Sequence, residues 1–456
     1  MTDGSISVQL VTFMMPILMT QILQQLYSIC DTALVGRCSG PDALAGIGTA
    51  SLIVSVIVNF IIGLSTGISV MISHLYGSRS YKELTCCIQT ILFSMIGIGL
   101  TMTLAGFLLM PMCLRLLQTP EEIIPAASTY LGICLLGITA QLIYNAVNAS
   151  LRALGNTKAA LYILVISAIT NLLLDILFMA VFSWGIAGAA AATVISQYLS
   201  AVMVLYVLLH LKGEWHMSLK PEACFFSQLR HFKKMMETGI PAGMQAVFMS
   251  ISSLIIQTTI NSFGYSAMAG MTVFARVEGF LYYPLFSFGL ALTCFIGQNS
   301  GAGKWDRVDQ GIHISIRLTV AGSIILACIL MPLAPHIVGL FTRDPLIIQN
   351  GMQAIRYSIP FYWIYAINQV YIGAIRGLGN TAYPALTSLL SYCIFRVVWC
   401  QTLIRFFHDM RVVYTAYLAS WVVMLFLLIG GYHYFARKMH PSYIPARSTD
   451  RKIHAA

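Results

Sequence analysis

The sequence predicts an all-α polytopic membrane protein with twelve transmembrane helices in two six-helix bundles related by a parallel internal repeat. Three observations carry this. Hydrophobic residues make up 58% of the 456-residue chain and charged residues 9%, with a mean hydropathy of +0.80. Soluble domains carry about a quarter charged residues, so this chain cannot cover a water-facing surface. Its apolar runs are continuous over about 20 residues, which fits helices rather than the alternating strands of a barrel. Finally, the chain repeats. Leu151-Arg152-Ala153-Leu154-Gly155-Asn156-Thr157 returns as Ile375-Arg376-Gly377-Leu378-Gly379-Asn380-Thr381. Ser65-x-Gly67 likewise returns as Ser287-x-Gly289. A half-length repeat in an apolar chain points to a secondary transporter with its site between two pseudo-equivalent lobes.

Polar breaks rich in Gly, Pro and charge divide the first lobe, residues 1–210, into spans at 8–35, 43–75, 84–110, 122–150, 159–182 and 187–210. The second lobe, 232–436, divides at 232–262, 266–298, 307–331, 346–374, 382–407 and 412–436. Residues 211–231 read as a cytoplasmic linker and 437–456 as a basic cytoplasmic tail. Several spans exceed the crossing length and are expected to tilt or bend. Pro16, Pro241, Pro284 and Pro360 are the expected kinks. The polar stretch Met1–Ser7 does not resemble a signal peptide, so the first span reads as retained.

Loops after even-numbered spans, with the linker and tail, hold Arg79, Lys82, Lys158, Lys212, Lys304 and Arg437 among many basic residues. The opposite loops hold Arg37, Arg115, Arg343, Arg405 and Arg411. The positive-inside rule then places both termini in the cytoplasm of a multi-pass plasma (inner) membrane protein. This bias accounts for the net charge of +10 without a nucleic-acid partner. The 11 cysteines form no Cys-x-x-Cys and join no histidine cluster, so they read as small apolar residues. Gly303-Lys304-Trp305 is not a P-loop, which leaves no ATPase signature.

Acids inside spans are functional candidates, because an ionised group in hydrocarbon costs about 3 kcal/mol or more. Three qualify: Asp31, Asp175 and Glu278. Asn171 lies one helical turn before Asp175, on the same face. At about 1.5 Å per residue, Asp31 and Asp175 lie roughly 6 and 12 Å below the outer surface. Thr193 on the sixth span is at similar depth. The four side chains can converge in the outer half of the first lobe and suit a sodium ion or a proton shared between the acids. A polar cluster that only fixes packing is the competing reading.

On the fourth span Gln141, Asn145 and Asn148 form a polar stripe beside Tyr144 that fits substrate lining and interhelical glue equally well. The second lobe drops the acids: the 224-residue shift puts Ile255, Phe395, Trp399 and Tyr417 at the four positions. It holds Glu278 with Arg276, Arg317, Arg356 and Arg396 within spans. Arg276 and Glu278 face different ways, so Glu278 is expected to pair with an arginine of another helix, or else to bind substrate. Tyr282, Tyr283, Tyr362, Trp363 and Tyr365 are candidate cavity aromatics.

Asp31-Thr-Ala-Leu-Val-Gly-Arg37, the two Arg-x-Leu-Gly-Asn-Thr loops, Asn171-x-x-x-Asp175, Trp184-Gly-Ile-Ala-Gly-Ala-Ala and Gly297-Gln-Asn-Ser-Gly-Ala-Gly-Lys304 resemble the multidrug and toxic compound extrusion (MATE) family, over essentially the whole chain. The resemblance implies cation-coupled antiport that exports amphipathic, often cationic, drugs by alternating access, with no cofactor beyond a coupling H+ or Na+. Asp31, Asn171, Asp175 and Thr193 match the N-lobe cation site of its DinF-like branch. The second-lobe acids of the NorM-like branch are replaced by Met249 and Tyr365, which favours a single N-lobe coupling site. Glu278 and Tyr365 then join Gln141, Asn145 and Asn148 as substrate-cavity candidates, and a monomer is expected. The alternatives are a lipid-linked oligosaccharide flippase of the same superfamily, or an intramembrane magnesium-dependent prenyl transferase. The latter needs more clustered carboxylates than this chain offers.

Overall fold

The computed structural model describes residues 1–38, 40–117, 119–211 and 225–439, without the side chains of 31–45, 180, 225–227, 438 and 439. Most of the expected linker and most of the tail thus lie outside the described residues, as do the side chains of Asp31 and Arg37. The first half comprises α1 (Ile6–Cys38), α2 (Gly40–Gly77), α3 (Tyr81–Leu116), α4 (Ile124–Leu136), α5 (Ile138–Ala153), α6 (Lys158–Asp175) and α7 (Gly185–Leu209). The second comprises α8 (Phe225–Asn261), α9 (Tyr265–Gly301), α10 (Trp305–Phe341), α11 (Pro345–Ser358), α12 (Tyr362–Gly377), α13 (Ala382–Ser388), α14 (Arg396–Phe406) and α15 (Arg411–Met439). Among the described residues, ten helical segments are long and apolar enough to cross a membrane, and α4 with α5 makes an eleventh. The tenth expected span, 346–374, is built from α11, a 3-10 turn and α12.

Helices α8, α9 and α10 run 37, 37 and 37 residues, roughly 55 Å each, and so project beyond a bilayer core. Of the four prolines expected to kink their spans, one lies at a helix break. Pro16, Pro241 and Pro284 lie inside α1, α8 and α9, which continue through them. Only Pro360 sits at a break, in the turn Ile359–Phe361. The other interruptions are a bend of 46° at Gly137 and wide π turns at Ile176–Val181 and Leu389–Phe395. Proline removes one donor, and a membrane helix can re-satisfy the freed carbonyl locally.

The repeated Arg-x-Leu-Gly-Asn-Thr motif is a turn. Gly155 and Gly379 have φ of 98° and 93°, the left-handed region that favours glycine. Asn156 and Asn380 then accept from the backbone N–H of Ala159 and Tyr383, at 3.2 and 2.9 Å, which starts the next helix. Each half thus reuses one device to turn the chain back.

The halves meet through α2, which packs on α8 and α9. Two Gly-x-x-x-Gly pairs face each other there: Gly63 and Gly67 on α2, Gly239 and Gly243 on α8. A methyl group at Gly67 would lie 2.6 Å from Gly239 Cα, and one at Gly63 would lie 2.3 Å from Ala242 O. Further along, methyls at Gly77 and Gly301 would lie 2.1 Å from Gln298 O and 2.3 Å from His74 O. Small residues let backbones approach and gain dispersion contact where lipid offers no hydrophobic drive. Towards the other end of α2, Asn59 Nδ2 donates across the halves to Ser250 Oγ at 3.2 Å.

The residues before α1 also tie the two halves. The Met1 amine donates to Gln298 Oε1 at 2.8 Å, and Gln298 Nε2 donates to Ala153 O at 2.7 Å. Lys304 Nζ lies 2.7 Å from Asp3 Oδ1. The Lys304 hydrogen bond holds the Asp3 carboxyl below the usual aspartate range.

Candidate functional site

Helix α6 carries Asn171 and Asp175 one turn apart, both essentially buried. The chain then widens into the π turn Ile176–Val181 and reverses through Ser183 and Gly185, whose φ values of 56° and 55° lie in the left-handed region. Phe178, Phe182 and Trp184 stack over this end, with Phe178 and Trp184 centroids 4.9 Å apart. The reversal brings Thr193 of α7 beside Asn171.

With the Asn171 amide oriented to satisfy its neighbours, its nitrogen donates to Asp175 Oδ2 at 2.7 Å and to Tyr27 Oη at 3.0 Å. Its oxygen accepts from the Thr193 backbone N–H at 3.1 Å. One amide thus links α1, α6 and α7. Thr193 Oγ1 donates to Ala189 O at 3.0 Å, which leaves only its lone pairs for a ligand. Asn171 is spent on positioning in this arrangement. Hard oxygen donors for a cation come from the Asp175 carboxylate and the Thr193 hydroxyl, a donor set that fits sodium and equally accepts a proton.

Asn171 and Thr193 border a cavity of about 170 Å³ that is also lined by Gln24, Tyr27, Gln141, Tyr144, Ser196 and Gln197, among others. The sequence grouped Asp31, Asn171, Asp175 and Thr193; Asn171 bonds both Asp175 and the Thr193 backbone, and the side chain of Asp31 lies outside the described residues. Sequence reasoning missed Tyr27, Ser196 and Gln197. Their signal was helical spacing: Tyr27 lies one turn before Asp31, and Gln197 one turn after Thr193. Gln141 lines this cavity. Asn145 instead donates to the Gln141 carbonyl of its own helix at 2.8 Å, which removes that donor from substrate lining. Asn148 is 5% exposed and is not among the cavity's lining residues.

The second half differs from expectation at Glu278. Among the described residues, no ion pair within 4 Å involves Glu278, Arg276, Arg356 or Arg396. Glu278 Oε1 accepts from the Tyr362 hydroxyl at 2.5 Å. Arg396 is held by Ser420, which accepts from Nε and Nη2 at 2.9 and 2.7 Å, between the Tyr417 and Tyr392 rings at 4.4 and 5.0 Å. Two aromatic faces and a neutral hydroxyl occupy the guanidinium, so it does not reach the carboxylate. Arg276, Arg317 and Arg356 are exposed rather than buried. Tyr365 is 7% exposed, accepts from Gln369 Nε2 at 2.6 Å, and packs with Tyr282, Tyr362 and Trp421. Tyr417, the repeat partner of Thr193, thus faces an arginine where the first half presents a carboxylate.

The MatE family model matches residues 16–177 and again 241–402. The chain is 29% identical over 396 residues to the probable multidrug resistance protein YpnP of Bacillus subtilis, covering 87% of this chain and 88% of that protein. It is 26% identical over 430 residues to the probable multidrug resistance protein NorM of Thermotoga maritima, covering 91% and 88%. Its fold matches a crystal structure of MATE in the bent conformation and an outward-facing multidrug resistance MATE transporter of the MOP superfamily. Both superpose with a TM-score of 0.86 over 96% of each chain, at 19% and 20% identity. The prenyl transferase reading falls with these matches, because the family consists of transporters. The doubled match, the relatives and the two helical bundles together show that the chain belongs to the MatE family of multidrug efflux transporters and is not an enzyme.

Proposed function

We propose that this transporter couples entry of a cation, H+ or Na+, at Asp31, Asn171, Asp175 and Thr193 to export of amphipathic, often cationic compounds by alternating access. The observation that carries this reading is Asp175. It is fully buried in a membrane helix, and the Asn171 amide donates to its carboxylate. A carboxylate so placed favours a cation or proton arriving from outside the protein, since desolvation opposes the bare charge. Asn171 contacts α1, α6 and α7 at once, so a change of charge at Asp175 acts on three helices. The basic loops support cytoplasmic termini and, with them, a cytoplasmic position for the glycine-packed end of α2.

The test is efflux of a fluorescent cation from proteoliposomes, with sodium and proton gradients imposed separately. One gradient is expected to drive wild-type export, and Asp175→Asn should respond to neither while still binding the dye. Wild-type gradient-driven rates in Asp175→Asn would sink the assignment.

A further inference from the structure

The bend at Gly137 has a side chain seated in it. A methyl group at Gly137 would lie 2.2 Å from Gln197 Oε1 on α7, and 3.2 Å from the Cys134 carbonyl. Glycine here is required by close approach, because the angle of 46° between α4 and α5 opens a notch that the Gln197 amide fills. Gln197 Oε1 is buried and has no hydrogen-bond partner among the described residues. The hydroxyl oxygen of Ser196, which borders the same cavity, is likewise buried with no partner among the described residues. Unpartnered buried acceptors are costly unless water or an ion reaches them.

A second cavity, about 70 Å³ and mostly apolar, lies against Val54, Ile57, Val58 and Ile61 of α2, the helix that faces the other lobe. It shares three residues with the polar cavity: Gln141, Thr193 and Gln197. These are polar groups standing where a mostly apolar compartment meets one lined mainly by polar side chains. Thr193 has spent its hydrogen on Ala189 O, and Gln197 presents a bare oxygen. Both therefore offer lone pairs. Such a neck attracts cations, which it partly dehydrates, and repels anions.

We propose that Gln197, held in the Gly137 notch, is a specificity-determining residue that forms with Thr193 a cation-selective neck between the α2-side cavity and the Asn171–Asp175 site. The proposal rests on the coupling reading above and adds the route by which the ion arrives. The neck acts on ion access and leaves the substrate pocket alone. Gly137→Ala drives a methyl group into the amide and displaces it. Gln197→Leu removes the oxygen at similar size, and Gln197→Glu restores an oxygen acceptor.

The experiment measures dye efflux from proteoliposomes in a sodium titration at fixed pH and a pH titration without sodium, beside equilibrium dye binding and thermal melting in detergent. Gly137→Ala and Gln197→Leu should raise the half-saturating concentration of the driving ion roughly 10- to 100-fold, as loss of a supporting ligand does. Dye affinity should stay at the wild-type value, and Gln197→Glu should recover most of the ion affinity. If Gly137→Ala fails to melt cooperatively, the two Gln197 variants decide. Unchanged ion half-saturation in Gln197→Leu overturns the proposal. So does an equal loss in Gln197→Leu and Gln197→Glu. Asp175→Asn, run in parallel, separates the two readings. If it uncouples while the Gln197 variants behave as wild type, only the neck fails. If it stays coupled, the site itself is wrong.

Discussion

Gly67→Ala should shift the balance between the two lobe arrangements while leaving the fold intact. The new methyl group would lie 2.6 Å from Gly239 Cα, Gly239 N and Thr238 C, all of them backbone atoms. Carbon atoms rest at about 3.5–4.0 Å, so α2 and α8 must part by roughly 1 Å. No flexible side chain can move aside to absorb the clash. Overpacking of this kind costs about 1–3 kcal/mol. Alanine gains about 1 kcal/mol of helix propensity over glycine, but it gains this in every conformation, so it cancels from the comparison between states. The clash belongs only to the state in which α2 and α8 touch. The closed state should therefore lose population against the alternative by roughly 5- to 150-fold. Spin labels on α2 and α8 would report the change as a distance distribution. Gly97→Ala is the control, since a methyl there meets nothing within 4 Å. An unchanged distribution in Gly67→Ala, or an equal shift in Gly97→Ala, would refute the reasoning.

Three further outcomes follow from single contacts. Glu278→Gln should melt within about 1.5 kcal/mol of wild type, because the amide oxygen can still accept from Tyr362 and no ion pair is broken; a loss of several kcal/mol in detergent would point to a buried charge partner. Arg396→Lys should destabilise the second lobe by about 1–3 kcal/mol in chemical melts, since an ammonium cannot lie flat between Tyr417 and Tyr392 while also reaching Ser420 twice; a wild-type melt would dismiss the sandwich as ornamental. Asp3→Asn should loosen the tie to Lys304 and raise cysteine labelling near the start of α1. The Asp3 carboxyl is held below the ordinary aspartate range, so its contribution is complete above that range and fades as pH falls through the lowered value. Wild type and Asp3→Asn should converge in strong acid and in high salt; a difference that persists there would exclude the pair as its cause.

Much of the architecture was legible in the chain because it depends on local composition and on repetition. Hydropathy alone marks segments that must satisfy their own backbone in lipid, and the repeat alone implies two like bundles. The Arg-x-Leu-Gly-Asn-Thr turns were visible twice because glycine and asparagine are needed for the backbone conformation itself. Asn171 and Asp175 could be paired from helical spacing, and Thr193 from depth. What depends on contact between distant segments was decided by tertiary structure. Tyr27 reaches Asn171 only once α1 lies on α6. The partner of Glu278 is a tyrosine because α12 lies closer to it than any free guanidinium does. Pro16, Pro241 and Pro284 lie within helices that continue through them, whereas the fourth span breaks at Gly137, where Gln197 of α7 fills the space a side chain would need. Gly63, Gly67, Gly239 and Gly243 look in sequence like ordinary small residues. Only the packing of α2 on α8 makes them the surface on which the two lobes close, because close approach is a property of pairs of backbones and leaves no mark in either one alone.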